Sequence, residues 1–223
     1  MFNIGIIGCG KIAQVRHIPE YAAHPAARLT GYYDLNQERA QALAAQWGGR
    51  AYPTWEALLA DPAIDAVSIC AANTAHAELT IAALRAGKHV LCEKTIASNA
   101  SEVQQMYDTA IKNQVILLEA MRSVFSPGFA AIRSLLPVLG TIRQVDFSFC
   151  KYSSRYDHFK EGIIENAFHP ALSNAALMDI GVYCVHPLVS LFGMPASIQS
   201  SSIFLSNGFE GAGTILLQYP DMQ

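Results

Sequence analysis

The sequence predicts an α/β fold class: an N-terminal doubly wound parallel sheet, followed by an α+β domain built on a mostly antiparallel sheet. Three observations point there. Short apolar runs alternate with helix-length segments up to about Leu118. A glycine-bearing turn follows the first apolar run directly. After Arg122 the texture changes to longer strands with few helices between them. Strands joined by helices imply right-handed crossovers and a parallel sheet covered on both faces. Longer strands in succession imply antiparallel pairing. The expected domains are 1–121 and 122–223.

Each element has a local reason. "NIGIIG" is a short apolar strand, and Lys11 to Ala23 follows with helical spacing. "ARLTGYYD" is a second strand. "NQERAQALAAQW" is rich in helix formers and stops at Gly48-Gly49. "TWEALLA" opens on a threonine cap. "IDAVSICAA", "KHVLCE" and "QVILLEA" read as strands, separated by the helices "TAHAELTIAALRAG" and "SNASEVQQMYDTAIKN". In the second half, Ser126-Pro127-Gly128 opens a helix through Leu136, and "GTIRQVDFSFCKYSS" reads as a long strand. A polar, aromatic loop, "RYDHFKEGIIENAFHPALSN", leads to the helix "AALMDIGVYCVHPLVSLFG". Two strands, "SIQSSSIFLS" and "GAGTILLQYP", close the chain.

Composition narrows the function classes. The chain has 223 residues, 52% hydrophobic and 15% charged, with a net charge of −3 and no basic stripe. That balance argues against nucleic acid as a partner. No run reaches about 18 consecutive apolar residues, so no membrane partner is expected. The N-terminus has no basic start or cleavage site of a leader. The five cysteines show no C-x-x-C spacing and mostly sit in apolar runs, which makes the cytoplasm the expected location. The seven histidines have no ligand spacing, so no metal is expected.

The turn after the first strand carries the first chemistry. Gly8-x-Gly10-x-x-Ala13 lies between a strand and a helix. Gly8 permits the tight turn, Gly10 leaves room for a pyrophosphate, and Ala13 lets the helix pack on the strand. Lys11 and Ile12 open the helix, whose N-terminal N–H groups suit phosphates. Asp34 lies 21 residues past Ala13, close to the spacing of about 20 for a carboxylate on the adenosine ribose. Read alone, Asp34 is better taken as a helix N-terminal acid. With the loop upstream it reads as a cofactor residue, and the first domain as a dinucleotide-binding (Rossmann) domain. A 2′-phosphate would be repelled by Asp34, so NAD is the expected cofactor, with NADP not excluded through Arg39.

In such sheets ligands sit at the carboxyl ends of the strands. The fifth strand delivers Glu93 and Lys94 there, and the fourth delivers Ala72 and Asn73, with His76 on the next turn. Lys94, partly desolvated beside a nicotinamide, would exchange a proton near neutral pH. From "EK" alone, a strand-end salt bridge is the favoured reading.

"GCGKIA", "AANTAHAELTIAALRAGKHVLCEKTIA" and "LMDIGVYCVHPL" together resemble the Gfo/Idh/MocA oxidoreductases over essentially the whole chain. The family's E-K-P corresponds to Glu93-Lys94-Thr95, and its D-x-G-x-H to Asp179-Ile180-Gly181-Val182-Tyr183. Tyrosine at the last position is similar to the dihydrodiol dehydrogenase branch. The resemblance implies a hydride transfer between nicotinamide and a hydroxyl or carbonyl carbon of a sugar, polyol or cyclic diol. It implies Lys94, Asp179 and Tyr183 as catalytic residues, and Glu93, Lys94 and Asn73 as cofactor contacts. It also implies a homo-oligomer through the second-domain sheet. Asp179 and Tyr183 are four apart and share a face of an ideal helix; His186 reads as a packed histidine before Pro187. Arg122, Tyr152, Arg155, Tyr156 and His158 are substrate-side candidates. Thr95 and Ala72 stand where the family has proline, and "SNAALMD" where the branch has a glycine pair. The family's second domain continues past a point like Gln223, so a C-terminally truncated member is expected. A binding protein that senses dinucleotide or sugar without turnover is the alternative reading.

Overall fold

The computed structural model describes residues 1–223, which divide into two compact units, Met1–Ala120 and Met121–Gln223. The first holds a six-stranded sheet in the order β3-β2-β1-β4-β5-β6. Its strands are β1 (Phe2–Ile7), β2 (Ala27–Tyr33), β3 (Arg50–Ala51), β4 (Ala66–Ile69), β5 (His89–Cys92) and β6 (Leu117–Glu119). Every pairing is parallel. The connecting helices are α1 (Ile18–Ala23), α2 (Gln37–Trp47), α3 (Trp55–Leu59), α4 (Asn73–Arg85) and α5 (Ala100–Asn113). The doubly wound sheet is therefore the one the alternation predicts. Two details were not expected: the two-residue β3, and a π turn, Ala13–His17, leading into α1.

The strand period of two splits the core between the faces. Ile4 and Ile6 pack with Ala13, Ile18, Leu29 and Tyr32 on one side. Ile7 joins Leu58, Ile64, Val67, Ile69, Leu84 and Met106 on the other. Fully burying one such side chain is worth about 1.5–3 kcal/mol. Gly5 and Gly31 on the inner strands admit this packing: a Cβ there would meet Leu58 at 2.8 Å and Tyr52 at 2.7 Å. Three helices open on side-chain caps, with Asn36, Thr54 and Asn99 accepting from Arg39, Ala57 and Glu102 N–H. Such a cap contributes about 1 kcal/mol. Glu102 returns the favour at α5, accepting from Ser98 N–H at 2.9 Å.

The second unit contains α6 (Pro127–Leu135), α7 (Tyr156–Lys160), α8 (Val182–Phe192) and the antiparallel hairpin β7 (Ser197–Phe204) with β8 (Glu210–Gln218). Two expectations are corrected here. The long strand over 140–154 does not form, because the segment has no ladder partner. Its long-range backbone pairing is limited to Val145 N–H, which donates to Gln223, and the Arg143 carbonyl, which accepts from Gln223 N–H. The expected loop instead contains α7 and two 3-10 turns, organised by stacked Tyr156 and Phe159 against Phe168, which packs on Phe209. The run Pro170–Phe192 spans 23 residues and contains an 18-residue stretch with a mean hydropathy of 1.6, enough by length and composition to cross a membrane. The sequence expectation rested on uninterrupted apolar runs, which Ser173, Asn174 and Asp179 break.

Lys88, buried just before β5, donates through Nζ to the carbonyls of Asp61 (2.8 Å) and Ile64 (2.7 Å). Lys88→Met removes both donations, and a buried carbonyl left without its partner costs about 1–3 kcal/mol. Urea unfolding should show a loss of that size; an unchanged midpoint would mean that solvent reaches these carbonyls.

Candidate active site

The loop after β1 is shaped by two glycines with different duties. Gly8 has φ +91°, and a Cβ there would lie 2.6 Å from the Cys70 carbonyl carbon and oxygen. Only glycine fits, because both its dihedral and its neighbour demand it. At Gly10 a Cβ would meet no atom within 4 Å, so the space beside its backbone is left to something other than protein. Lys11 and Ile12 follow, exposed, and Ala13 is fully buried against β1 and β2 residues.

Asp34, at the end of β2, is buried and committed to this loop. Its Oδ2 accepts from Cys9 N–H at 2.7 Å and its Oδ1 from Asn36 N–H at 2.8 Å. The Arg39 guanidinium lies across both oxygens, at 3.2 and 3.3 Å, with its own side chain 44% exposed. A glycine turn, open space and helix N–H groups beside a braced carboxylate fit a dinucleotide pyrophosphate and its ribose.

The other predicted cofactor residues gather at the same edge of the sheet. Ala72 caps α4 and is exposed; Asn73 is its first residue. Glu93 and Lys94 follow β5, both half-buried. The Lys94–Thr95 peptide bond is cis. His76 is the one that turns inward. Its Nδ1 lies 2.8 Å from the Thr95 carbonyl and its Nε2 3.1 Å from that of Ala71. Burial pushes its pKa down, opposed by those carbonyls. What the ring supports is the turn carrying Lys94. Glu93 is likewise engaged: Oε1 lies 2.6 Å from His17 Nε2, and Oε2 accepts Lys94 N–H at 3.2 Å.

The second unit carries the remaining predicted residues. Asp179 lies in a π turn, Leu177–Gly181, that runs into α8, and Tyr183 is the second residue of α8. The π turn alters the angular spacing expected of an ideal helix. Tyr183 meets Phe149 edge-on at 5.8 Å. Together with Arg122, Ser123, Phe147, Ser148 and Cys184 they line a cavity of about 410 Å³. Of the substrate-side candidates, only Arg122 lines it. Tyr152 donates to Asp157 at 2.7 Å, while Arg155 and His158 both pair with Glu165, at 3.1 and 2.7 Å. Tyr156 sits in the aromatic cluster. His17 and Glu119, whose Oε1 accepts Ile96 N–H at 3.0 Å, went unnoticed in the sequence. The available signal was the i,i+4 placement of His17 beyond Ala13, on the buried face.

A profile described as an oxidoreductase family with an NAD-binding Rossmann fold, Gfo/Idh/MocA, matches residues 2–121. The chain belongs to this family. This Gfo/Idh/MocA chain is 41% identical, over 98% of its length, to the scyllo-inositol 2-dehydrogenase (NADP(+)) IolU of Bacillus subtilis, of which it covers 67%. It is 33% identical over 76% of its length to a trans-1,2-dihydrobenzene-1,2-diol dehydrogenase of Xenopus tropicalis, covering 50% of that protein. Among solved structures, the 3-ketoreductase KijD10 of Actinomadura kijaniata, in complex with NADP and TDP-benzene, shares the fold. The TM-score is 0.79 at 23% identity, covering 98% of this chain and 66% of that one. The chain thus spans between half and two thirds of the length of these relatives.

The loop makes a testable statement about its thiol. Burial first, then the Asp34 charge, pushes Cys9 up to about 12, and burial does the same to Cys92. The thiolate is the reactive form, so at pH 8 both positions stay as the unreactive thiol. Iodoacetamide at pH 8 should alkylate exposed Cys150 and spare Cys9, Cys70 and Cys92 until urea unfolds the chain. Peptide mass mapping reads this, and labelling of Cys9 in the folded chain would contradict its burial.

Proposed function

We propose that the chain forms the cofactor domain and part of the substrate domain of an NAD(P)-dependent dehydrogenase. Its substrate class is a sugar, polyol or cyclic diol, at a CH–OH or carbonyl carbon. The observation that carries this reading is the convergence of Gly8, Gly10, Asp34, Glu93 and Lys94 at the carboxyl ends of parallel strands, in a chain of this family. The dinucleotide supplies the hydride acceptor or donor. Gly8, Gly10 and the helix start at Lys11, Ile12 and Ala13 would hold its pyrophosphate; Asn73, Glu93 and Lys94 would border its nicotinamide. Oxidising an alcohol releases a hydroxyl proton, and Tyr183, Lys94 and Asp179 are the groups assigned to receiving it and orienting the hydroxyl. The aromatic walls of the Tyr183 cavity, with Arg122 at its rim, suit a ring bearing hydroxyls.

The cofactor reading keeps both NAD and NADP. Arg39 across Asp34 offsets the charge that would repel a 2′-phosphate, and IolU is named as an NADP(+) enzyme. NADP is therefore accepted alongside NAD. With all five cysteines unpaired, a reducing compartment, the cytoplasm, suits the chain. Ile203 and Leu216, exposed on one face of the hairpin by its register, would belong to the surface through which copies assemble.

Fluorescence titration with NADPH and NADH tests the cofactor assignment. Arg39→Ala should weaken NADPH by about 10–100-fold, the worth of a hydrogen bond to a charged group, and leave NADH within about threefold. Equal losses would remove Arg39 from the phosphate site. Lys94→Ala should lower turnover of inositols and diols by about 10²–10⁴-fold, as for a lost acid–base group, with the dissociation constant for NADPH nearly unchanged. Wild-type protein that binds NADPH yet turns over no member of such a panel would favour a sensor.

A further inference from the structure

One buried titratable side chain outside the reacting set is tied to the strand end that carries Lys94. His17 closes the π turn Ala13–His17, in the helix that begins at the phosphate loop. Its ring is 9% exposed and its Nε2 lies 2.6 Å from Glu93 Oε1, on a carboxyl group 13% exposed. On the other side, Nδ1 lies 3.4 Å from Ser68 Oγ, itself 2.7 Å from the Tyr21 hydroxyl. Four side chains, from the π turn, α1, β4 and the end of β5, thus form one hydrogen-bonded row. Glu93 closes it, because its second oxygen accepts the backbone N–H of Lys94 at 3.2 Å.

A polar row this deep is retained at a cost. Each member needs a partner, since an unpaired polar group there would lose about 1–3 kcal/mol. An aliphatic residue at position 17 would match the neighbouring Ala13 and Ile18, which are fully buried. The chain instead spends a π turn, a feature frequent at functional sites, and a histidine to reach across the sheet edge. What that reach joins is specific: the helix that opens on the dinucleotide loop, and the turn that presents Lys94.

We propose that His17 is a positioning residue, which fixes the Glu93 carboxyl group and through it the orientation of Lys94 at the nicotinamide side of the cleft. The proposal deepens the oxidoreductase reading above and rests on it for the role of Lys94. Glu93 then has its two oxygens held by His17 and by the Lys94 backbone, and works as a brace for the lysine. Supporting residues of this kind typically change activity by about 10–100-fold when removed.

The test uses His17→Ala, His17→Gln and His17→Asn in the full chain. An amide at glutamine's reach can still donate to Glu93; asparagine's falls short. Three quantities are read: the unfolding midpoint without cofactor, the NADPH dissociation constant with the emission of bound NADPH, and kcat and KM with an inositol substrate. His17→Ala and His17→Asn should bind NADPH within about threefold of wild type. Both should show altered nicotinamide emission and a kcat lowered about 10–100-fold, with KM for the alcohol little changed. His17→Gln should recover most of the emission and of kcat. If the variants shift only the unfolding midpoint, with wild-type emission and kcat, His17 is a packing residue and the proposal is overturned. It is overturned equally if glutamine behaves as asparagine does. Should alanine fail to fold, the glutamine–asparagine contrast decides alone. Absence of turnover in the wild type would sink the oxidoreductase reading instead, and the emission of the three variants would still judge His17.

Discussion

The closest constraint in the structure is the approach of Gly8 to the backbone of Cys70 and Ala71. With φ at +91° and no room for a Cβ within 2.6 Å of the Cys70 carbonyl, the chain leaves β1 and turns at once into the helix at Lys11. That tight exit lets the ends of β1 and β4 lie side by side, Cys70 N–H donating to the Ile7 carbonyl at 2.8 Å. It brings Cys9 N–H within 2.7 Å of Asp34. A wider turn would separate the helix N-terminus from β2 and β4, and the rim on which a dinucleotide can lie would no longer exist. The sheet order places the loops after β1, β2, β4 and β5 along one edge; Gly8 makes the first of them compact enough to meet the others.

The sequence was most legible where a local rule and a tertiary need coincide. The apolar alternation, the helix stop at Gly48 and the cap at Thr54 each follow from residue type, and each recurs in the structure. The spacing from Ala13 to Asp34 placed the acid at the end of β2. The sequence was least legible where pairing partners decide. "GTIRQVDFSFCKYSS" has the β-branched and aromatic content of a strand, but content cannot provide a neighbour, and over long range its backbone pairs with Gln223 alone. The two π turns were equally hidden, because an inserted residue leaves a helical pattern looking regular over so few positions.

His76 and Glu93 show the same limit at the site itself. Position along the chain put both at the cleft, and the fold does bring them there. What spacing could not reveal is direction. His76 faces the carbonyls of Ala71 and Thr95, and Glu93 faces His17. A residue can sit one position from a reacting group and still belong to the layer beneath it. The acid and base that stand adjacent in "CEK" therefore need not be partners of each other.

That layer has a common design along the carboxyl edge of the sheet. Asp34 at the end of β2, Glu93 after β5 and Glu119 at the end of β6 each accept a backbone N–H from a neighbouring loop: Cys9 and Asn36, Lys94, and Ile96. A carboxyl group is well suited to this, because its two oxygens can hold two segments at once and hydrogen bonds to a charged acceptor are about twice as strong as neutral ones. The acids fix the loops; beside them Lys94 stands in the turn after β5 and Arg39 in the first turn of α2. In a site meant for an anionic dinucleotide, this division solves an electrostatic problem. Carboxylates facing the ligand would repel its phosphates, whereas carboxylates turned back onto backbone N–H groups hold the rim in place while Arg39 offsets the charge of Asp34. An acid at a strand end here is therefore better read as a brace until its oxygens are found free.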